Sequence, residues 1–203
     1  MMANMPHITI SVQQTQAEEL AVHRHLITGL LQFVGEDPER EGLRETPERV
    51  LKAWKHWCQG YHQDPREVLK TFADGAEGVD EMVMVGPIQF YSHCEHHMAP
   101  FYGSAWVAYI PNGRVVGLSK LARVVDIYAH RLQVQERMTN EVANAIDEVL
   151  KPLGVGVIVK AAHMCMCSRG VNKQDSFTVT SALRGAIKNK GKARAEFLRL
   201  AGF

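Results

Sequence analysis

Two short stretches concentrate the side chains able to bind a metal or move protons. The first is Ser92-His93-Cys94-Glu95-His96-His97. The second, much later in the chain, is His163-Met164-Cys165-Met166-Cys167-Ser168-Arg169. Thiolate and imidazole are the preferred ligands of zinc. Three protein ligands plus an open position make a catalytic site, whereas a structural site closes with a fourth. Cys94 and His97, joined by one cysteine of the second stretch, would give two thiolates, one imidazole and an open position. If the second stretch continues a strand, alternate side chains share a face. His163, Cys165, Cys167 and Arg169 would then point one way, with Met164 and Met166 turned toward the core. That parity leaves Cys165 and Cys167 equivalent. An open zinc position makes hydroxide available near neutral pH. His96 and His163, each within two residues of a candidate ligand, are placed to transfer protons.

A second constellation suits an anionic, base-bearing ligand. Gly117-Leu118-Ser119-Lys120 stands before a predicted helix, with Arg123 one turn along. Free N–H groups at a helix start attract anions, and Lys120, Arg123 and Arg169 would add charge. Taken alone, this segment reads as a solvated helix face capped by Ser119. Gln133-Val134-Gln135-Glu136-Arg137 opens the next helix. A carboxylate there can accept two hydrogen bonds from the N1–H and 2-amino group of a guanine, and such a buried pairing confers specificity. In isolation Glu136 merely complements a helix N-terminus.

The elements that must carry these residues follow from periodicity. Apolar spacing predicts a helix over roughly Gln16–Val34, closed by Gly35, then a charged loop over Asp37–Glu45. Thr46-Pro47-Glu48-Arg49 carries the start signals of a helix running to about Cys58. Residues 73–80 form a linker, so residues 1–80 are expected as an N-terminal helical region and 81–203 as the catalytic domain. Beyond it, strands are expected over Met82–Tyr91, interrupted near Gly86-Pro87, and Ser104–Ile110. Asn112-Gly113 signals a turn, with Arg114–Val116 continuing on its far side. Helices follow over Lys120–Ala129 and Val134–Leu150, strands over Val155–Cys165 and Phe177–Leu183, and a short basic helix over Lys192–Leu200. Strand-strand-helix-helix-strand-strand favours an α+β fold, an antiparallel sheet with two helices on one face. Such a sheet leaves open edges, which oligomerisation would cover.

The formal net charge of +1 provides no global field for nucleic acid. Met1–Gln16 is polar, without the pattern of a signal peptide, and no apolar run reaches membrane-spanning length. The expectation is a cytoplasmic protein with no membrane partner. In that compartment Cys58, Cys94, Cys165 and Cys167 are poor disulfide candidates.

Cys94-Glu95-His96-His97, Gly117-Leu118-Ser119-Lys120, Gln133-Val134-Gln135-Glu136-Arg137 and His163-Met164-Cys165, in that order and at these intervals, resemble GTP cyclohydrolase I over about Asp37–Phe203. Thr46-Pro47-Glu48-Arg49 fits the same family. The resemblance implies zinc on Cys94, His97 and Cys165, with Cys167 a variable neighbour, and His96 and His163 as the acid–base pair. It implies Glu136 as the guanine anchor, helped by Gln135. Lys120, Arg123 and Arg169 would face the triphosphate, with Ser119 close by. Arg49 and Lys52 match basic residues contributed from an adjacent subunit. The implied fold is the tunnelling fold, assembled as a toroidal homodecamer, a pair of pentamers with sites at subunit interfaces. The implied reaction opens the imidazole ring of GTP, releases C8 as formate and yields 7,8-dihydroneopterin triphosphate for folate or tetrahydrobiopterin synthesis.

Two departures stand out. Arg131-Leu132-Gln133 and Met164-Cys165-Met166 look closer to animal-type variants, which raises a regulatory protein partner. Cys167 adds a second thiol beside the metal as an oxidation liability. The rival readings are a reductase of the same fold acting on a nitrile-bearing deazaguanine, a degenerate member that binds GTP without turnover, and a non-catalytic zinc-stabilised nucleotide-binding module. The last would close its site with Cys167 as fourth ligand.

Overall fold

The computed structural model describes residues 12–203, with side chains from Leu20 onward. Most of the polar stretch Met1–Gln16 lies outside the described residues. The chain forms two compact units, residues 1–56 and 57–203.

The first unit holds α1 (Val12–Phe33) and most of α2 (Thr46–Trp57). Gly35 ends α1 as expected: its φ of 88° is open to glycine without strain, and Glu36 N–H reaches back to the Leu31 carbonyl at 3.0 Å. Pro47, in the first turn of α2, is buried, and Arg24 pairs with Glu48 across the two helices at 3.0 Å.

The second unit continues with a 3-10 turn (Gln59–His62), α3 (Pro65–Val68), β1 (Thr71–Phe72), β2 (Val83–Cys94), β3 (Pro100–Ile110), β4 (Val115–Val116), α4 (Leu118–Ala129), β5 (Leu132–Gln133), α5 (Gln135–Leu150), β6 (Gly154–His163), α6 (Met164–Cys167), β7 (Thr178–Arg184), α7 (Gly185–Asn189) and α8 (Gly191–Ala201). Five strands join in the order β5-β2-β3-β6-β7. The pairings are antiparallel except β5, which runs parallel to β2. The expected α+β tunnelling-fold arrangement is therefore present, with β7 as a last strand.

Alternation along the strands sends Ala105, Val107, Tyr109, Val155, Val157, Val159 and Ala161 into one core with α4 and α5. Their neighbours Ala108 and Ile158 face the other side, where α7 and α8 bring Ile187, Phe197 and Ala201. The sequence reading anticipated two helices on one face. The structure adds this helical cover on the opposite face at one end of the sheet. Gly156 makes room for it, since a Cβ there would lie 2.8 Å from the Phe197 ring.

The interruption at Gly86-Pro87 is a β-bulge. Val85 pairs with Val107 and Ile88 with Ala105, so β2 advances one residue more than β3. A Cβ on Gly86 would meet the Trp106 ring at 2.3 Å, which explains the glycine. The extra residue changes parity: Val83 and Val85 face the α4/α5 core before it, and Ile88, Phe90 and Cys94 face that core after it.

Three local expectations are corrected. Val115–Val116 does not pair back on β3; it pairs with Thr71–Phe72 in a separate two-stranded sheet, because the Asn112-Gly113 turn reverses the chain without choosing its partner. Ser119 does not cap α4. Gly117 is the N-cap and makes no side-chain cap bond, while Ser119 lies within the first turn. The strand expected to reach Cys165 stops at His163, and Met164–Cys167 coils into one helical turn.

Candidate metal centre and active site

The β2–β3 hairpin carries the first cluster at its tip. Cys94 N–H donates to the Ala99 carbonyl at 2.8 Å, and Met98 N–H donates to the Cys94 carbonyl at 2.8 Å. Met98 takes a left-handed φ of 53° to close the turn. Glu95 N–H is held by the Gln133 carbonyl at 3.0 Å, tying the turn to β5. Cys94 is buried at the strand end, while His96 and His97 are exposed on the turn. The Nδ1 atoms of His96 and His97 each lie 3.8 Å from Cys94 Sγ.

The second cluster arrives at the end of β6. Its helical turn separates Cys165 from Cys167, which a strand would have placed on one face. The ligand atoms of Cys94, His97 and Cys165 lie within 4.8 Å of one another and can hold a metal ion. Cys167 is outside that group: it is buried, and its thiol lies 3.7 Å from the Gln174 carbonyl. Met166, expected in the core, is exposed. Three protein ligands without Cys167 leave a position open, contrary to the closed site of a structural module. Burial, and then the neighbouring Cys94, push the Cys165 thiol pKa up, and the Arg169 charge partly opposes them. A divalent cation between the two thiols would compensate the charge that burial opposes at Cys165. The donor set therefore fits zinc.

His163 sits opposite Phe101 in the β3–β6 ladder. Their rings stack at 4.6 Å between centroids and 2° between planes. Burial lowers the His163 pKa, with the Glu136 carboxylate acting weakly against it. His163 Nε2 lies 2.7 Å from Gln135 Oε1. Gln135, expected near a base, is fully buried with its amide engaged by protein groups. Glu136, one residue on, is exposed in the first turn of α5.

Ser119 and Arg123 are exposed and Lys120 half-buried, all in the first two turns of α4. Arg169 is exposed just beyond α6. In the first unit, Arg49 is exposed on α2 and paired with Glu45 at 2.6 Å, and Lys52 is exposed on the same helix.

Sequence reasoning missed the brace around the first cluster. Arg137 pairs with the Glu95 carboxylate and donates to Gln133 Oε1 at 3.1 Å. Gln133 Nε2 donates in turn to Glu141 at 2.8 Å and to the Tyr128 carbonyl at 3.0 Å. Arg137 holds the Glu95 pKa below the usual carboxylate range. It also missed Phe101, whose stacking on His163 requires the strand register.

The model of the GTP cyclohydrolase I family matches residues 23–202. A protein of Nitrosospira multiformis named GTP cyclohydrolase 1 is 58% identical over 172 residues, covering 85% of this chain and 90% of its own. One of the same name from Bacteroides thetaiotaomicron is 58% identical over 183 residues, covering 90% and 91%. A third, from Deinococcus radiodurans, is 55% identical over 168 residues, covering 83% and 77%. With the order of elements and the convergence of Cys94, His97 and Cys165, these matches place the chain: it belongs to the GTP cyclohydrolase I family.

Proposed function

We propose that this chain is a GTP cyclohydrolase I, a hydrolase acting on a cyclic amidine C–N bond. It opens the imidazole ring of GTP, releases C8 as formate and forms 7,8-dihydroneopterin triphosphate, the first step toward tetrahydrofolate or tetrahydrobiopterin. The observation that carries this reading is the convergence of Cys94, His97 and Cys165, with one histidine beside the group and another at the end of β6.

Cys94, His97 and Cys165 would hold zinc, which when bound supplies Lewis-acid activation of water. His96 and His163 move the protons. One is taken from the attacking water and one is delivered to N7 as the ring opens. Glu136 accepts the guanine N1–H and 2-amino hydrogens, with Gln135 behind it. Ser119, Lys120, Arg123 and Arg169 hold the triphosphate, which is not cleaved; their contacts position the substrate. The exposed first turn of α4 supports this role through its free N–H groups. Arg49 and Lys52 reach the site of an adjacent subunit in a homodecamer, whose sheet pairing would also cover the β7 edge. The catalytic machinery lies within residues 81–203, and the enzyme works in the cytoplasm on a small-molecule substrate. Among the described residues, no helix is long and apolar enough to cross a membrane. A regulatory protein partner is consistent with the animal-like segments around Leu132 and Cys165.

Incubating zinc-loaded protein with GTP tests the reading. Formate and a pterin product should appear in equal amounts and vanish after chelation. Metal-loaded protein that binds GTP and releases no formate would reject it.

A further inference from the structure

Gln135 is a fully buried polar side chain beside the site, and its hydrogen bonds determine more than its own position. Its Nε2 lies 3.1 Å from the Val159 carbonyl, 3.1 Å from the Thr178 carbonyl and 3.1 Å from Thr180 Oγ1. Backbone carbonyls only accept, so the NH2 group must face them. Turning the amide over would set Oε1 against two carbonyl oxygens. The hydroxyls agree. Thr139 donates to the Gln135 carbonyl at 2.7 Å. Thr180 therefore donates to Thr139 Oγ1 at 2.6 Å and is left to accept from Gln135. With the amide orientation fixed, Oε1 is the atom 2.7 Å from His163 Nε2. An oxygen without hydrogen needs a donor, so Nε2 carries one. The Phe101 ring, stacked on His163 at 4.6 Å, fixes the plane of the imidazole.

Resting on the function proposed above, we propose that Gln135 is a positioning residue. It holds His163 with a proton on Nε2, so that Nδ1 is the nitrogen through which His163 exchanges a proton with substrate. Gln135 thus acts on the reaction through the histidine and not through contact with the guanine. The expectation that it helps hold the base gives way to Glu136 alone in that role, because the buried amide has no free donor to offer. A tautomer fixed before substrate arrives removes one misoriented state from each turnover.

Neutron diffraction from crystals of the zinc-loaded wild-type protein tests the proton assignment without any variant. Deuterium on His163 Nε2, pointing at Gln135 Oε1, is the expected result; a bare Nε2 overturns the proposal. Kinetics test the consequence. In zinc-loaded Gln135→Leu, kcat should fall by about 10–100-fold, with KM for GTP and zinc content nearly unchanged. A raised KM with kcat retained, and a weakened preference for GTP over inosine triphosphate, would instead make Gln135 a base contact and overturn the positioning role. If Gln135→Leu does not fold, the neutron map decides. Wild-type protein that forms no pterin would sink the proposed function while leaving the neutron result intact.

Discussion

The two ends of the five-stranded sheet are built from different chemistry. At the end reached by β2 at Cys94 and β6 at His163, the buried positions include Ser92, His93, Gln133, Gln135 and Thr139, which are all the buried polar residues among those described. At the other end the buried positions are apolar: Tyr109 and Val155 on one face, Ile187, Phe197 and Ala201 on the other. Among the described residues, no buried side-chain nitrogen or oxygen lacks a partner. The polar end is therefore a satisfied network, which fixes geometry more than it adds stability. The apolar end supplies the burial that lets the sheet hold ionisable groups at its other end.

Substitutions at the two ends should separate activity from stability. The largest effect is expected for Cys165→Ser. Zinc content should collapse and formate release fall by about 10³-fold or more, while thermal unfolding of the metal-free protein barely moves. A variant that keeps its zinc would break the contrast at its strongest point. Phe197→Ala, at the apolar end, should cost about 3–5 kcal/mol of stability in denaturant titration. The protein that remains folded should keep its kcat. Gly156→Ala pushes a methyl into the same contact and should cost about 1–3 kcal/mol, again with kcat preserved. Cys167→Ser should retain zinc and turnover, because its thiol faces the Gln174 carbonyl and not the metal group. If its metal is lost, the site is closed by a fourth ligand. The smallest effect belongs to the exposed Glu95–Arg137 brace. Arg137 depresses the Glu95 pKa, so its contribution is present above the ordinary carboxylate pKa and is lost as pH falls through the lowered value. Glu95→Gln should flatten the acid limb of a melting-temperature profile and change little at neutral pH.

Much of this site was legible because its ligands lie in short local clusters. Cys94 and His97 could be named from their cluster, Cys165 only through the family resemblance, and Gly86-Pro87 announced the break in β2. What resisted reading was non-local or lay at a boundary. Met164-Cys165-Met166-Cys167 contains no residue that stops a strand, so nothing local marked the change to a helical turn after His163. Strand parity therefore grouped two cysteines that the turn separates. The short strand at Val115 pairs with Thr71, a partner that no turn residue could specify. Gln135 entered as a base contact through the family resemblance alone, and its burial could not be read locally because it depends on the register of Val159 and Thr178 across the sheet.

The bulge in β2 works like a reading frame. A three-residue step from Val85 to Ile88 would put the two on opposite faces of a regular strand, but the bulge keeps Ile88 opposite Ala105 and on the side of Val85. Deleting one residue there would leave a continuous ladder with Cys94 still on the core face. Straightening the strand with every residue kept would instead exchange the places of Cys94 and His93, turning the thiol toward the Trp57 ring that His93 now meets at 4.7 Å. Such a strand would carry every metal-binding residue in its sequence and no site to assemble them, a loss that a comparison of side chains alone would overlook.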